Sequence, residues 1–193
     1  MIAGSAPEGE GMAVLLAPDG VRFWPVLTAS PEWQDGMRDP VDRWSARVIA
    51  IVAEAWGGRV VLPSDGPPFA PFQRWAVESG RAWVSPVGML IHDAMGLWAS
   101  FRGAVLLEHP CPAPPERPSP CETCPDQPCR SACPAGAMGQ GSYDLAACHA
   151  WLDSVEGADC MTDGCLVRRA CPAGRGYGRL PKQSAYHMRQ FHK

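Results

Sequence analysis

Apolar residues alternate with turn-forming residues along the first part of the chain, and this pattern predicts strands. Two apolar runs, residues 12–17 and 21–27, flank Pro18, Asp19 and Gly20. Proline, aspartate and glycine favour tight turns, because each suits the backbone angles that a chain reversal requires. The pattern therefore predicts a β-hairpin over these two runs.

The pattern changes to helical spacing after residue 39. Asp39 suits the N-cap, and Pro40 suits the first helical position. Apolar residues then recur three and four positions apart until Gly57 and Gly58 end the helix. They are Val41, Trp44, Val48, Ile51, Val52 and Ala55.

Shorter elements follow this helix. The sequence predicts a buried strand over residues 59–62, a turn over 64–68 and a short helix over 71–79 that stops at Gly80. Residues 87–108 predict two or three further strands. Together these elements predict a small α/β domain with a mixed sheet over residues 1–109.

The bulk composition narrows the class of protein. The chain has 193 residues, of which 46% are hydrophobic and 19% charged. It lacks an apolar run of the roughly 18–20 residues that would span a bilayer and the basic and apolar segments of a secretory signal. We therefore expect a cytoplasmic protein without a membrane partner. In that reducing compartment, nine cysteines favour metal or redox chemistry over structural disulfides.

The cysteines divide the chain into three regions. Residues 1–109 contain none, residues 110–120 form a proline-rich linker, and residues 121–193 contain eight of the nine. The prolines disfavour a helix, so the linker should be extended. The predicted fold class is therefore α+β, in which the α/β domain precedes a bacterial-ferredoxin-like two-cluster module with a basic C-terminal tail.

The strongest motif is a run of four cysteines before a proline. Cys121, Cys124, Cys129 and Cys133 are followed by Pro134. This run approximates that of bacterial ferredoxins, in which three cysteines hold one [4Fe-4S] cluster and the fourth binds the other. The middle gap is four residues, where the ferredoxin run has two.

The motif is partly repeated. Residues 132–136 and 170–174 share the sequence Ala-Cys-Pro-Ala-Gly, and three cysteines lie between the copies: Cys148, Cys160 and Cys165. With Cys171 they bring the number of candidate ligands to eight, as two [4Fe-4S] clusters require. Asp144 can cap a helix that carries Cys148 on its inward face. A small buried hydrophobic side chain is the simpler interpretation of Cys148 alone.

Zinc is the main alternative, because four-cysteine zinc sites also use Cys-x2-Cys pairs. Zinc sites do not require Cys-x3-Cys-Pro or a fourth ligand shared across a duplicated motif, so iron–sulfur chemistry is favoured. Disulfides are the third alternative. A zinc-stabilised interaction module remains a rival hypothesis for the function.

The cysteines and the segment before them, about residues 40–172, resemble the iron–sulfur half of the epoxyqueuosine reductase family. More distantly, they resemble the cobalamin-dependent reductive dehalogenases. The resemblance implies one cluster on Cys121, Cys124, Cys129 and Cys171. It implies a second cluster on Cys133, Cys148, Cys160 and Cys165.

The resemblance extends to residues 80–91 and 96–103, which are similar to a glycine-rich strand pair that faces cobalamin in that family. It therefore implies cobalamin as an alternative cofactor and Asp65 as a proton donor, should the chain be an enzyme. A turn residue is the simpler interpretation of Asp65. Relative to the family, we expect a chain truncated at both ends.

The distribution of charge along the chain indicates which kind of partner could bind. The net charge is −3, yet no acidic residue follows Asp163. The basic residues of this tail could dock an acidic redox protein, and a solvated helix surface is favoured over a nucleic-acid site. They are Arg168, Arg169, Arg175, Arg179, Lys182, Arg189 and Lys193.

The leading hypothesis is ferredoxin-like electron transfer between a donor and an acceptor protein. A cobalamin-dependent reductase is the alternative, so we expect an electron carrier or oxidoreductase component more than a complete enzyme. His92 and Trp98 could line a cofactor pocket. Cys111, the ninth cysteine, is expected to be free.

Overall fold

A computed structural model describes residues 1–114, 116–138 and 142–193. The chain forms two compact units. The first comprises Met1–Ala82 and Ser100–Arg117, and the second comprises Trp83–Ala99 and Pro118–Lys193. The segment Trp83–Ala99 therefore belongs to the cysteine-containing unit, whereas the sequence assigned it to the domain of residues 1–109.

The described residues form an α+β structure, as predicted. Its six strands are β1 (Ile2–Glu8), β2 (Gly11–Leu16), β3 (Arg59–Val61), β4 (Ala82–Val84), β5 (Leu90–His92) and β6 (Gly103–Leu107). Its α-helices are α1 (Gly20–Thr28), α2 (Pro31–Gln34), α3 (Pro40–Trp56), α4 (Phe72–Glu78), α5 (Leu145–Leu152), α6 (Ala158–Asp163), α7 (Leu166–Ala170) and α8 (Pro181–Phe191). Two 3₁₀ helices cover Pro128–Arg130 and Pro172–Tyr177.

The sheet of the first unit has the order β1-β2-β6-β3, and its three described strand pairs are antiparallel. The prediction of a mixed sheet was therefore wrong. Strands β2 and β3 do run in the same direction, as an α/β unit requires, but β6 lies between them and pairs antiparallel with both. A segment distant in sequence thus decides the pairing, which local patterns do not reveal.

The predicted hairpin over residues 12–17 and 21–27 was also wrong. Strand β2 pairs with β1, and residues 20–28 form helix α1. The buried residues Phe23, Trp24 and Leu27 have helical spacing, whereas Val21 and Val26 are 54% and 57% exposed. The run is apolar on both faces, so its composition did not distinguish a strand from a helix.

The predicted helices around the sheet are confirmed. Helix α3 begins at Pro40 and ends before Gly57, which adopts the left-handed conformation at φ 66°. Its residues Ile49 and Ala53 pack with Val105 of β6. Asp39 occupies the N-cap position without a side-chain capping bond. Helix α4 lies within the predicted range of 71–79.

The second unit is built from short elements. Strands β4 and β5 form a two-stranded sheet, and the turn between them is closed by a hydrogen bond from the Ser85 amide to the Met89 carbonyl (2.8 Å). Val87, Ile91, Leu97 and Val167 form a core with cysteine side chains. The described residues of the linker, 110–114 and 116–120, are neither helix nor strand, as predicted.

Within the described residues, no helix combines the length and the apolar character that crossing a bilayer requires.

Candidate metal centre

Four cysteines line one cavity of the second unit. These are Cys121, Cys124, Cys129 and Cys171, which we call the first thiol group. The cavity has a volume of about 40 Å³. On the same measure, a cavity that holds a single water molecule has roughly 10–15 Å³. Its other walls are mostly apolar and include Ile91, Leu97 and Pro172.

Two thiols of this group are buried, whereas those of Cys121 and Cys124 are partly exposed. Cys129 is 7% exposed and Cys171 is 5% exposed. Burial raises the pKa of the Cys129 thiol, and repulsion from the negative charges of Cys121, Cys171 and Cys124 raises it further. Burial also raises the pKa of Cys121, which a hydrogen bond with Ser119 opposes. A positively charged ligand would offset this repulsion.

Local hydrogen bonds shape the loop that presents these thiols. The Cys121 amide donates to the Ser119 hydroxyl (3.2 Å), and the Gln127 side chain donates to the Cys121 carbonyl (3.4 Å). Gln127 adopts a left-handed conformation (φ 38°) directly before the 3₁₀ helix that carries Cys129. The longer middle gap of the cysteine run thus contains the residue that closes the loop.

The second copy of Ala-Cys-Pro-Ala-Gly is held by a close backbone contact. A Cβ atom on Gly96, which has φ 54°, would lie 2.4 Å from the Gly174 nitrogen. A Cβ on Gly174 would lie 3.1 Å from the Trp98 ring. Position 96 therefore requires glycine for the loop after Cys171 to pack against the segment after β5, whereas a side chain at Gly174 would need a small shift of the Trp98 ring.

The second thiol group comprises Cys133, Cys148, Cys160 and Cys165. Cys148 lies on α5, whose predicted cap is confirmed because Asp144 Oδ1 accepts a hydrogen bond from the Ala147 amide (2.9 Å). Cys160 lies on α6, and Cys165 is the N-cap residue of α7.

Charge interactions connect the members of this group. Burial raises the pKa of Cys148, a hydrogen bond with Tyr143 opposes that rise, and repulsion from Cys165 and Cys133 adds to it. Burial likewise raises the pKa of Cys160, where a hydrogen bond from the Leu166 amide opposes the rise. Cys165 also repels Cys160. Charge interactions therefore connect Cys165 with both Cys148 and Cys160.

All nine cysteines lie within the described residues, and none is in a disulfide. Within those residues, no group of three or more His, Cys, Asp or Glu side chains is arranged so that it could hold a metal ion. The observed arrangement is therefore a cavity with thiols along its wall and a second set of neighbouring thiols. Binding of iron at either group stays a prediction.

Two predicted residues, Asp65 and Cys111, belong to the first unit. Asp65 is exposed, and its Oδ2 accepts a hydrogen bond from the Leu62 amide (2.8 Å). Its amide in turn donates to the Leu62 carbonyl, so the side chain acts in a turn. Cys111 is partly exposed in the linker.

His92 and Trp98 are buried in the second unit. His92 Nδ1 accepts a hydrogen bond from the Ala94 amide (3.0 Å). The Arg179 guanidinium lies 5.1 Å from the centre of the Trp98 ring. Both side chains therefore have structural contacts, and the described walls of the thiol cavity include neither of them.

Sequence reasoning did not single out Ser85. It is 5% exposed and lines the thiol cavity, and its hydroxyl lacks a hydrogen-bond partner among the described residues. A buried hydroxyl without a partner costs free energy, so a missing acceptor in the cavity is indicated. Serine before proline is typical of turns, and this pattern carries no signal for a donor role.

The chain was compared with protein-family models, with curated proteins and with solved structures, and no match was found.

Proposed function

We propose that the chain binds two [4Fe-4S] clusters and works as a ferredoxin-like electron-transfer protein of the cytoplasm. The first thiol group would hold one cluster, and the second thiol group would hold the other. The observation that carries the proposal is the cavity lined by Cys121, Cys124, Cys129 and Cys171. The finer resemblance of this unit to the iron–sulfur half of epoxyqueuosine reductase is part of the same proposal.

The residues fit such a group in two respects. Thiolates are the ligands that iron–sulfur clusters require, and four of them share the wall of one cavity. The Ser85 hydroxyl needs an acceptor there, and the sulfur atoms of a cluster accept hydrogen bonds. The second group fits through its four neighbouring thiols and through the Tyr143 hydroxyl beside Cys148.

A [4Fe-4S] cluster, when bound, takes up and releases one electron at a time without making or breaking a bond to substrate. The chain would therefore accept one electron from a donor protein and pass one electron to an acceptor protein. Its own residues hold the thiolates in place, exclude water from Cys129 and Cys171 and supply hydrogen-bond donors. Burial by Ile91 and Leu97 keeps the first group in a low-dielectric environment.

Partner docking is assigned to the basic tail. Arg175, Lys182 and Arg189 belong to a segment without acidic residues, and an acidic surface on a redox protein would complement it. Such contacts between exposed charges steer association, so the association rate should fall as salt concentration rises. Neither a membrane nor a nucleic acid is needed as a partner.

The enzyme alternative has weaker support. It requires Asp65 to donate a proton beside cobalamin, but the exposed Asp65 side chain is engaged in its own turn. The zinc alternative uses the same thiols and differs in the metal that they bind. Both alternatives make chemical predictions that differ from those of the electron-transfer proposal.

The test is anaerobic purification followed by measurement of iron, acid-labile sulfide and zinc. We expect about eight iron and eight sulfide per chain, with EPR signals after reduction. Cys111→Ser is the matched control and should contain as much iron as the wild type. Zinc in place of iron would contradict the proposal and support the interaction module. Binding of added cobalamin, followed by its absorption spectrum, would support the reductase.

A further inference from the structure

Helix α8 contains no cysteine, yet it packs against a segment that carries two thiols of the second group. Among the described elements its main packing partner is α6, which carries Cys160. The residue before Cys165 also lies close to it, since a Cβ atom on Gly164 would lie 2.8 Å from the Ser184 Cβ. Ser184 is buried, so this face of α8 belongs to the interior of the second unit.

Side-chain contacts join the C-terminal end of α8 to α5, which carries Cys148. The Nδ1 atoms of His149 and His192 lie 2.6 Å apart, and His192 Nε2 lies 2.9 Å from Asp153 Oδ1. An ionised carboxylate only accepts hydrogen bonds, so in the neutral ring His192 Nε2 donates to Asp153 and His192 Nδ1 accepts from His149. The Phe191 ring stacks on the His149 ring, with centres 4.9 Å apart.

Helix α5 is short, and side-chain contacts fix both of its ends. It has eight residues, and helices of this length are marginal in isolation. Asp144 caps its N-terminal end, and Asp153, at the C-cap position, contacts His192. His149 directly follows Cys148, so a shift of this end of α5 would also move the thiol.

We propose that His192 is a positioning residue of the second thiol group. Together with Phe191 it holds α5 against the end of α8, and α8 in turn packs against α6, so that Cys148 and Cys160 keep the separation that a shared cluster requires. This inference rests on the proposed function. Four thiolates must converge on one group, and ligands that are already held in place bind it at a lower entropic cost.

The coupling between α8 and the second group is reciprocal. If docking of α8 favours binding of a cluster, an occupied second group must favour docking of α8 by the same factor. Lys182 and Arg189 of α8 are exposed, so trypsin can report how often this helix undocks. The proposal therefore predicts an effect on iron release and an effect on proteolysis.

The first test is release of iron to a chelator from the full chain, followed by anaerobic EPR. Cys133→Ser identifies the signal of the second group. His192→Ala should lose the iron of that group about tenfold faster than the wild type and leave the first group unchanged. His192→Asn keeps an acceptor near the position of Nδ1 and should restore most of the difference. His109→Ala, an exposed histidine of the first unit, is the matched control and should behave as the wild type.

The second test is trypsin cleavage of the iron-loaded and iron-free chains. Cleavage after Lys182 and Arg189 should be about tenfold slower in the iron-loaded wild type. Cys133→Ser should be cleaved as fast as the iron-free chain, even with iron in its first group. Protection that persists in Cys133→Ser, or equal cleavage with and without iron, would overturn the inference.

The remaining outcomes separate the two proposals. A wild-type chain without iron would overturn the proposed function and this inference with it. Two bound clusters with unchanged iron release in His192→Ala, or with equally faster release from both groups, would overturn only the inference. If His192→Ala takes up no iron in the second group, His192→Asn decides: recovery supports the inference, and no recovery overturns it.

Discussion

The two thiol groups are surrounded by different chemistry. The first lines a cavity with apolar walls and one neutral hydroxyl, that of Ser85. The second lies on α5, α6 and the N-cap of α7, and of its four thiols only Cys160 is buried. The two groups therefore differ in their surroundings, and burial disfavours added negative charge.

The two copies of Ala-Cys-Pro-Ala-Gly also differ in burial and in packing. Cys171, in the second copy, is buried, and Gly174 after it packs against Gly96 and Trp98. Cys133, in the first copy, is half-buried, and Gly136 after it has φ 61° with open space around it. Identical residues thus have different conformations and burial, since the packing partners differ.

Loss of a ligand should have the largest effect and should separate the groups. We expect Cys171→Ser to remove the iron of the first group and Cys133→Ser that of the second, each leaving roughly half of the wild-type iron. Iron analysis and EPR measure this effect, and Cys111→Ser is the control. Loss of the same EPR signal in both variants would contradict the division into two groups.

Gly96→Ala should be the most destabilising single change outside the ligands. A Cβ atom would collide with the backbone at Gly174, and alanine disfavours the left-handed conformation, so we expect a loss of at least about 2 kcal/mol in the free energy of unfolding. Urea unfolding measures it. Gly176→Ala is the matched control, because a Cβ there has no atom within 4 Å. Equal stability of the two variants would contradict the close contact.

Asp144→Ala should weaken the second group without affecting the first. It removes the N-cap of α5, which carries Cys148, and such a loss costs about 1 kcal/mol. We expect faster loss of iron from the second group on exposure to a chelator, followed by EPR. Asp144→Asn retains an acceptor and should behave as the wild type. Faster loss from the first group would show that the cap serves a different site.

Ser85→Ala should have the smallest effect and should be confined to the first group. Removal of a neutral donor to an anionic group lowers its reduction potential, by less than removal of a full charge does. We expect a change of a few-fold in the ratio of reduced to oxidised form, about 30 mV for one electron, in the potential of the first group alone. Ser85→Thr keeps the hydroxyl and is the control. A shift of the second group's potential instead would place Ser85 at that group.

Several elements could be predicted because their causes are local. The cap of α5 depends on Asp144 and the amide three residues later, and α3 on Pro40, its apolar spacing and Gly57. The misassigned α1 shows the limit of this reasoning. Its apolar run suits a strand or a helix equally, and burial of Phe23 and Trp24 in the folded unit decides between them.

The amino-acid sequence is sufficient to identify the candidate ligands: eight cysteines in one region, a proline-rich segment before them and an internal repeat. Three features depend on contacts in the folded chain: Trp83–Ala99 belongs to the cysteine-containing unit, β6 lies between β2 and β3, and Ser85 lines the thiol cavity. The reason is physical: spacing and capping act over a few neighbouring residues, whereas contacts between distant segments depend on how their surfaces pack.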